Sequence, residues 1–141
     1  GPRDVQRYDA LSGYKCPADI PVAILVDDAS ASASELMAQC LKDYKRAVIV
    51  GRRTYGKGSV QTVHYFGDGS GIKLTVAKYF TPSRTPIHGQ GVEPDVISVL
   101  EEETEKGANR PRYRKDALDQ DVYVRDAVRI LQNSNSKEEK P

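Results

Sequence analysis

The chain alternates short apolar runs with segments rich in Gly, Pro and Ser, and the period of each run predicts its form. "PVAILVD" (21–27) is a continuous apolar run with β-branched members, the pattern of a strand buried on both faces of a parallel sheet. "DDASAS" then breaks it. From Ser32 to about Tyr44, the residues Leu36, Met37, Cys40, Leu41 and Tyr44 recur at helical spacing, with Lys42, Asp43 and Lys45 off that stripe, which predicts a helix docked by its apolar side. "AVIV" (47–50) is a second apolar strand, so strand, helix and strand read as a right-handed parallel crossover unit. Catalytic and ligand groups belong where such strands end and their loops begin.

Further along, "TVHYF" and "IKLTVAKYF" flank "GDGSG", whose Gly and Asp suit a tight connection, so the pair predicts an antiparallel hairpin and a mixed sheet. "TPSRTPIHGQGVEPD" (81–95) is too rich in Pro and Gly for a regular element, and "VISVL" (96–100) is a short strand candidate. Val124, Ala127, Val128 and Leu131 recur at helical spacing and predict a helix over 119–132. The expected organisation is a partial core over 3–100, a charged linker over 101–115, a C-terminal helix over 116–133 and a disordered tail over 134–141. The opening "GP" reads as the scar of tag removal and is left out of fold reasoning.

Composition narrows the function classes. With 141 residues, 38% of them hydrophobic, the chain reads as one domain or a fragment of one. Its 21 Lys and Arg against 20 Asp and Glu leave a net charge of +1, so no overall field favours nucleic acid or an anionic membrane. No apolar stretch approaches the roughly 18 residues of a membrane span, and no signal peptide is evident. Cys16 and Cys40 match neither a redox pair nor zinc-site spacing, and Cys40 falls on the apolar side of the first helix, where packing is expected.

"GRRTYGKGS" (51–59) comes within one residue of a phosphate-binding loop. Gly51, Gly56 and Lys57 fit that motif, but Gly58 replaces the hydroxyl that would ligate Mg2+. The motif also needs a long helix directly after it, and "VQTVHYFGDGSG" offers β-branched alternation and glycines instead. What remains is either a solvated basic loop or a lysine with a chemical task.

The task is suggested by "SASASE" (30–35), which opens the first helix directly after a buried strand, where nucleophilic serines are commonly presented. Ser32 with Glu35 three residues on also fits a capping box, stabilising the helix by about 1 kcal/mol. The same helix start offers unpaired amides, Ala33 N–H among them, to a developing oxyanion. A serine nucleophile needs a base, and His64 and His88 have no recognisable triad context. Lys57 follows the next strand of the same crossover unit, so it can meet Ser32 at one sheet edge. Burial would have to bring its pKa from about 10.4 toward neutrality, at roughly 4 to 5 kcal/mol.

Taken in order, "SASASE", "RAVIVG", "TYGKGSVQ", "IKLTVAKYFTPS" and "GQGVEPDV" resemble the carboxy-terminal processing peptidases, or tail-specific proteases, across residues 20–97. The resemblance implies an α/β fold like the core shared by Clp-type peptidases and crotonases. It implies Ser32 as nucleophile, Lys57 as general base and Gln61 as the residue orienting the lysine, with no metal or cofactor. Glu35 either assists the dyad or only caps the helix. A fully extended strand would separate Lys57 from Gln61 by about 13 Å, so a helical turn or bulge is expected over "KGSVQ".

The implied partner is a protein or peptide with an apolar, unstructured C-terminus, and the implied location is extracytoplasmic: periplasm, cell envelope or chloroplast lumen. Family members carry a PDZ domain and an earlier part of the core before this segment, and the latter supplies a glycine amide to the oxyanion hole. Arg84 stands where the family reads Gly, so the local turn is expected to differ. A catalytically silent binding or assembly fragment is the alternative reading, and nucleotide binding comes third.

Overall fold

The computed structural model of the chain describes residues 7–9, 13, 16–98, 118 and 121–138. Three strands form a parallel sheet, β1 (Ala23–Val26), β2 (Val48–Gly51) and β5 (Val96–Ile97), in the order β1-β2-β5. β1 and β2 are joined by helix α1 (Ala33–Asp43), which is the crossover unit the apolar runs predict. The hairpin, β3 (Ser59–Tyr65) and β4 (Gly71–Lys78), pairs antiparallel and stands as a separate two-stranded sheet. Parallel and antiparallel pairing therefore both occur, divided between two sheets.

The parallel register pairs Val26 with Gly51, and Val50 with Val96. A Cβ on Gly51 would lie 1.9 Å from the Val26 carbonyl oxygen, and Gly51 has φ 133, so only glycine allows β2 to end this close to β1. Asp95, the residue just before β5, anchors its start. Its backbone N–H donates to Ile49 O at 2.8 Å, its Oδ2 accepts from Ile49 N–H at 2.9 Å, and its Oδ1 pairs with Lys42 Nζ at 2.9 Å. The "VEPD" end of the Pro/Gly-rich stretch is thus the return to the sheet.

α1 is capped by Ser32 and Tyr44 as the spacing predicts, but its docked face is a different one. The buried residues are Glu35, Ala38 and Gln39, while Met37 is 57% and Tyr44 73% exposed. Small Ala38 lets the helix approach the sheet and joins Val26 and Ile49 in the core, with Ile24 packed against them. The polar neighbours can be buried because each is satisfied: Gln39 Nε2 donates to Asp43 Oδ1 at 2.8 Å, and Glu35 is held as described below.

Helix α2 (Val122–Glu138) packs on β1 and β2, with Ala127 buried. It starts later than the apolar period suggests and runs on through "NSNSK", expected to lie in a disordered tail, because no Gly or Pro interrupts that segment before Pro141. Asp121 Oδ1 accepts from the N–H groups of Tyr123 and Val124, capping the start, and Asp126 Oδ2 accepts from Ser98 Oγ at 2.6 Å. The linker expected over 101–115 lies outside the described residues.

Candidate active site

Ser32 occupies the turn between β1 and α1 with φ 58 and ψ −117. Positive φ on a residue with a Cβ is strained by about 1–3 kcal/mol and persists only where surrounding contacts over-determine it. Those contacts are visible. Asp27 Oδ1 accepts from Ala29 N–H at 3.0 Å, Ser30 N–H at 2.8 Å and Ser30 Oγ at 3.0 Å, folding "DDAS" into a compact turn. Ser30 O accepts from Tyr55 N–H at 3.0 Å, tying that turn to the segment after β2. Ser32 O accepts from Leu36 N–H at 3.0 Å and begins the helix. Ala33 N–H has no hydrogen-bond partner among the described residues and opens at the same turn.

Glu35 joins the serine turn to the lysine loop. Its carboxylate is fully buried and accepts four hydrogen bonds. Oε2 takes Ser32 N–H and Lys57 N–H, each at 2.8 Å, and Oε1 takes Thr54 Oγ1 at 2.5 Å and Gly56 N–H at 2.6 Å. Burial by itself pushes this carboxyl's pKa up, but the bonds from Thr54, Gly56, Lys57 and Ser32 outweigh it and hold the pKa below the ordinary 4.5. The two sequence motifs thus meet on a single oxygen atom, with the Ser32 and Lys57 amides two hydrogen-bond lengths apart at most.

Thr54 extends this junction to the third loop. Its Oγ1 also accepts from Val92 N–H at 2.7 Å, and its own N–H donates to Val92 O at 3.2 Å. Gly89 N–H donates to Gly56 O at 2.9 Å, so the "HGQG" segment lies directly along the lysine loop. Gly91 is needed there: it has φ 72, and a Cβ would come within 2.3 Å of Thr54 O. Asp43 fixes the other end of this loop by accepting from Ser83 N–H at 2.9 Å. Burial opposes the Asp43 charge, but the bonds from Ser83, Gln39 and Thr81 hold its carboxyl below the usual range.

Lys57 itself is exposed, and neither Ser32 nor Gln61 forms a side-chain hydrogen bond to it among the described residues. The hairpin register shifts between Val60 and Gln61, which pair with Ala77 and Thr75, so the extra residue is Val76 on β4 and the turn or bulge expected over "KGSVQ" is not formed by β3. Gln61 is exposed, with Nε2 placed 3.4 Å from Thr75 Oγ1 across the hairpin. His64 lies on β3 and His88 beside Gly58, both exposed. Arg84 adopts φ 60, so the turn keeps a glycine-like backbone although the residue is arginine, against the expectation of a different turn. Burial, with a contribution from Asp43, pushes the Cys40 thiol pKa up, and both cysteines are free.

Sequence reasoning missed Asp27 and Thr54. An Asp two residues before a Gly-free Ser/Ala turn is a recognisable loop signal. The Thr54 role has no such signal, because its partners Glu35 and Val92 are distant in sequence. Among the described residues no cluster of His, Cys, Asp and Glu could hold a metal ion, and no helix is long and apolar enough to cross a membrane.

Ser32 with its positive φ at a strand-to-helix turn, and a lysine-bearing loop after the adjacent parallel strand, form a mixed α/β arrangement of a kind in which hydrolases present a nucleophile. Residues 2–98 match Peptidase family S41, and the chain belongs to that family. It is 45% identical over 94 residues to a carboxy-terminal-processing protease of Bartonella bacilliformis, covering 67% of this chain and 21% of that protein. It is 47% identical over 95 residues to the chloroplastic carboxyl-terminal-processing peptidase 2 of Arabidopsis thaliana, covering 67% and 18%. Among solved structures it resembles a photosystem II D1 C-terminal processing protease, with 52% identity and TM-score 0.51 over 55% of this chain and 20% of that one. The chain spans about a fifth of the length of these relatives.

Proposed function

We propose that this chain carries the nucleophile and general base of a serine endopeptidase that cleaves proteins or peptides near the C-terminus. The observation that carries the reading is the shared Glu35 Oε2, which binds Ser32 N–H and Lys57 N–H at once. A buried carboxylate spent on two backbone amides of two chemistry-bearing loops serves their mutual position. The strained Ser32 backbone supports the same reading.

In the reaction, neutral Lys57 Nζ takes the proton from Ser32 Oγ as Oγ bonds to the scissile carbonyl carbon. The carbonyl oxygen becomes an anion that Ala33 N–H stabilises. Lys57 returns the proton to the departing amine as the C–N bond breaks, leaving an acyl-enzyme. Water, deprotonated by Lys57, then attacks the ester carbon, and Lys57 gives that proton to Ser32 Oγ as the C–Oγ bond breaks, freeing the acid product and the enzyme. Gln61 is assigned to orient Lys57, and Glu35 to hold both loops. Lys57 is exposed in this chain, and bound substrate or further protein covers it in the reaction. An upstream core and PDZ domain, a substrate with an apolar C-terminus and an extracytoplasmic location belong to the same proposal. It uses no cofactor.

The silent-fragment reading draws on one observation, the exposed Lys57 with no bond to Ser32. An unstructured protein with an apolar C-terminus, incubated with the wild type, Ser32→Ala and Lys57→Ala and followed by mass spectrometry, separates the two. Cleavage by the wild type alone is expected. Cleavage by Lys57→Ala removes the dyad, and no cleavage by any form favours the silent fragment.

A further inference from the structure

Helix α2 lies beyond residues 2–98, the part of the chain that matches the family, yet it packs on the two strands whose ends carry the serine turn and the lysine loop. Tyr123, in its first turn, reaches those ends. The Tyr123 hydroxyl is buried, and the charges around it are the Arg52 guanidinium and the Asp27 and Asp28 carboxylates. Burial pushes its pKa up, Arg52 opposes that rise, and Asp27 and Asp28 add to it, so all three charges lie within electrostatic reach. Arg52 Nη2 is 3.5 Å from Asp28 Oδ2, and Arg52 N–H donates to Val26 O at 3.0 Å, which puts the cluster where β1 and β2 both end.

The cluster is continuous with the turn that presents the serine. Asp27 is the carboxylate whose Oδ1 accepts from Ala29 N–H, Ser30 N–H and Ser30 Oγ, and its own N–H donates to Ser30 Oγ at 3.1 Å. Ser30 stands two residues before Ser32, whose φ of 58 persists only while that turn is held. Tyr123 Oη makes no well-formed hydrogen bond among the described residues, although Arg52 is beside it. A hydroxyl buried in this way is costly, and phenylalanine would fill the same space without that cost. What the hydroxyl offers instead is a polar neighbour to partly buried charges that would otherwise face an aromatic edge.

Resting on Ser32 as nucleophile, we propose that Tyr123 is a positioning residue for the reaction, holding the Arg52, Asp27 and Asp28 side chains in the arrangement that fixes the Ser32 turn. Helix α2 thus acts on the serine through the Asp27 turn. The effect falls on the aim of Ser32 Oγ rather than on substrate affinity, because misplacing a reacting atom slows the chemical step.

The test compares the wild-type chain, Tyr123→Phe and Ser32→Ala with a fluorophosphonate, whose phosphorus bonds to Ser32 Oγ as fluoride leaves and the serine proton passes to Lys57. Tyr123→Phe is expected to melt within about 2 °C of the wild type. At saturating probe it should be labelled about tenfold more slowly, with the half-saturating concentration unchanged. Its 15N amide spectrum should differ from the wild type at Ala29, Ser30, Ser32 and Ala33, a readout that needs no catalysis. Turn amides that stay in place, or a loss seen only as weaker probe binding, overturn the proposal. A melt lowered by about 4 °C or more with those amides unmoved also overturns it, assigning Tyr123 to packing alone. Labelling that depends on Ser32 and proceeds equally in Tyr123→Phe removes it and leaves the protease reading standing. Shifted turn amides with no labelling of any form do the reverse, supporting the coupling of α2 to the turn and removing Ser32 as nucleophile.

Discussion

The buried Glu35 carboxyl is held below its ordinary pKa because each of its oxygens accepts two hydrogen bonds. Glu35→Gln would aim an amide donor at two of those donors, so a loss of about 3 kcal/mol in urea unfolding is expected, with slower cleavage alongside. The pH dependence has a definite sign. Because the folded pKa is depressed, the Glu35 contribution is fully present above the unfolded pKa, about 4.3, and is lost as pH falls through the lower folded value. Stability of the wild type should therefore fall more steeply on acidification below pH about 4 than that of Glu35→Gln. Parallel acid-unfolding curves would show that the carboxylate charge contributes nothing. At Arg84, φ 60 costs a residue with a Cβ roughly 1 kcal/mol. Arg84→Gly should raise stability by up to that amount, and a loss would reveal a role for the arginine side chain.

At the scale of elements, α1 shows that a hydrophobic stripe need not be the docked face. Met37→Lys is expected to change unfolding free energy by no more than about 0.5 kcal/mol, because the side chain is exposed. Ala38→Leu, on the fully buried face, should cost about 1–3 kcal/mol by overpacking the contact with Val26 and Ile49. Thermal melts of the two variants decide between the stripe and the observed face. The β2 terminus is as constrained: Gly51→Ala forces a Cβ onto Val26 O and should cost about 3 kcal/mol or more, or block folding.

For the whole molecule, the parallel sheet is covered by α1 and α2, while the hairpin stands apart with Val63, Tyr65, Phe66, Ile72, Leu74 and Val76 exposed. α2 supplies the cover on β1, so a chain ending at residue 120 should lose the buried Ala127 and the Ser98–Asp126 bond and melt lower by about 4 °C or more. An unchanged melt would mean that the sheet is stabilised without α2. The hairpin's exposed apolar residues follow a strand period that local sequence dictates, independent of what packs on them.

The sequence by itself determined the crossover unit, the hairpin, the second helix and the Gly/Pro-rich return to the sheet. Each of these rests on an apolar period or a turn residue acting over a few positions. It also carried the order of motifs that places the chain in its family. Only the tertiary structure decided which face of α1 is buried, since a small Ala beside satisfied polar groups packs closer than a larger apolar stripe. It alone joined Glu35 to both loops and recruited Thr54. A hydrogen bond between residues far apart in sequence depends on their meeting in space, and no local period encodes that meeting.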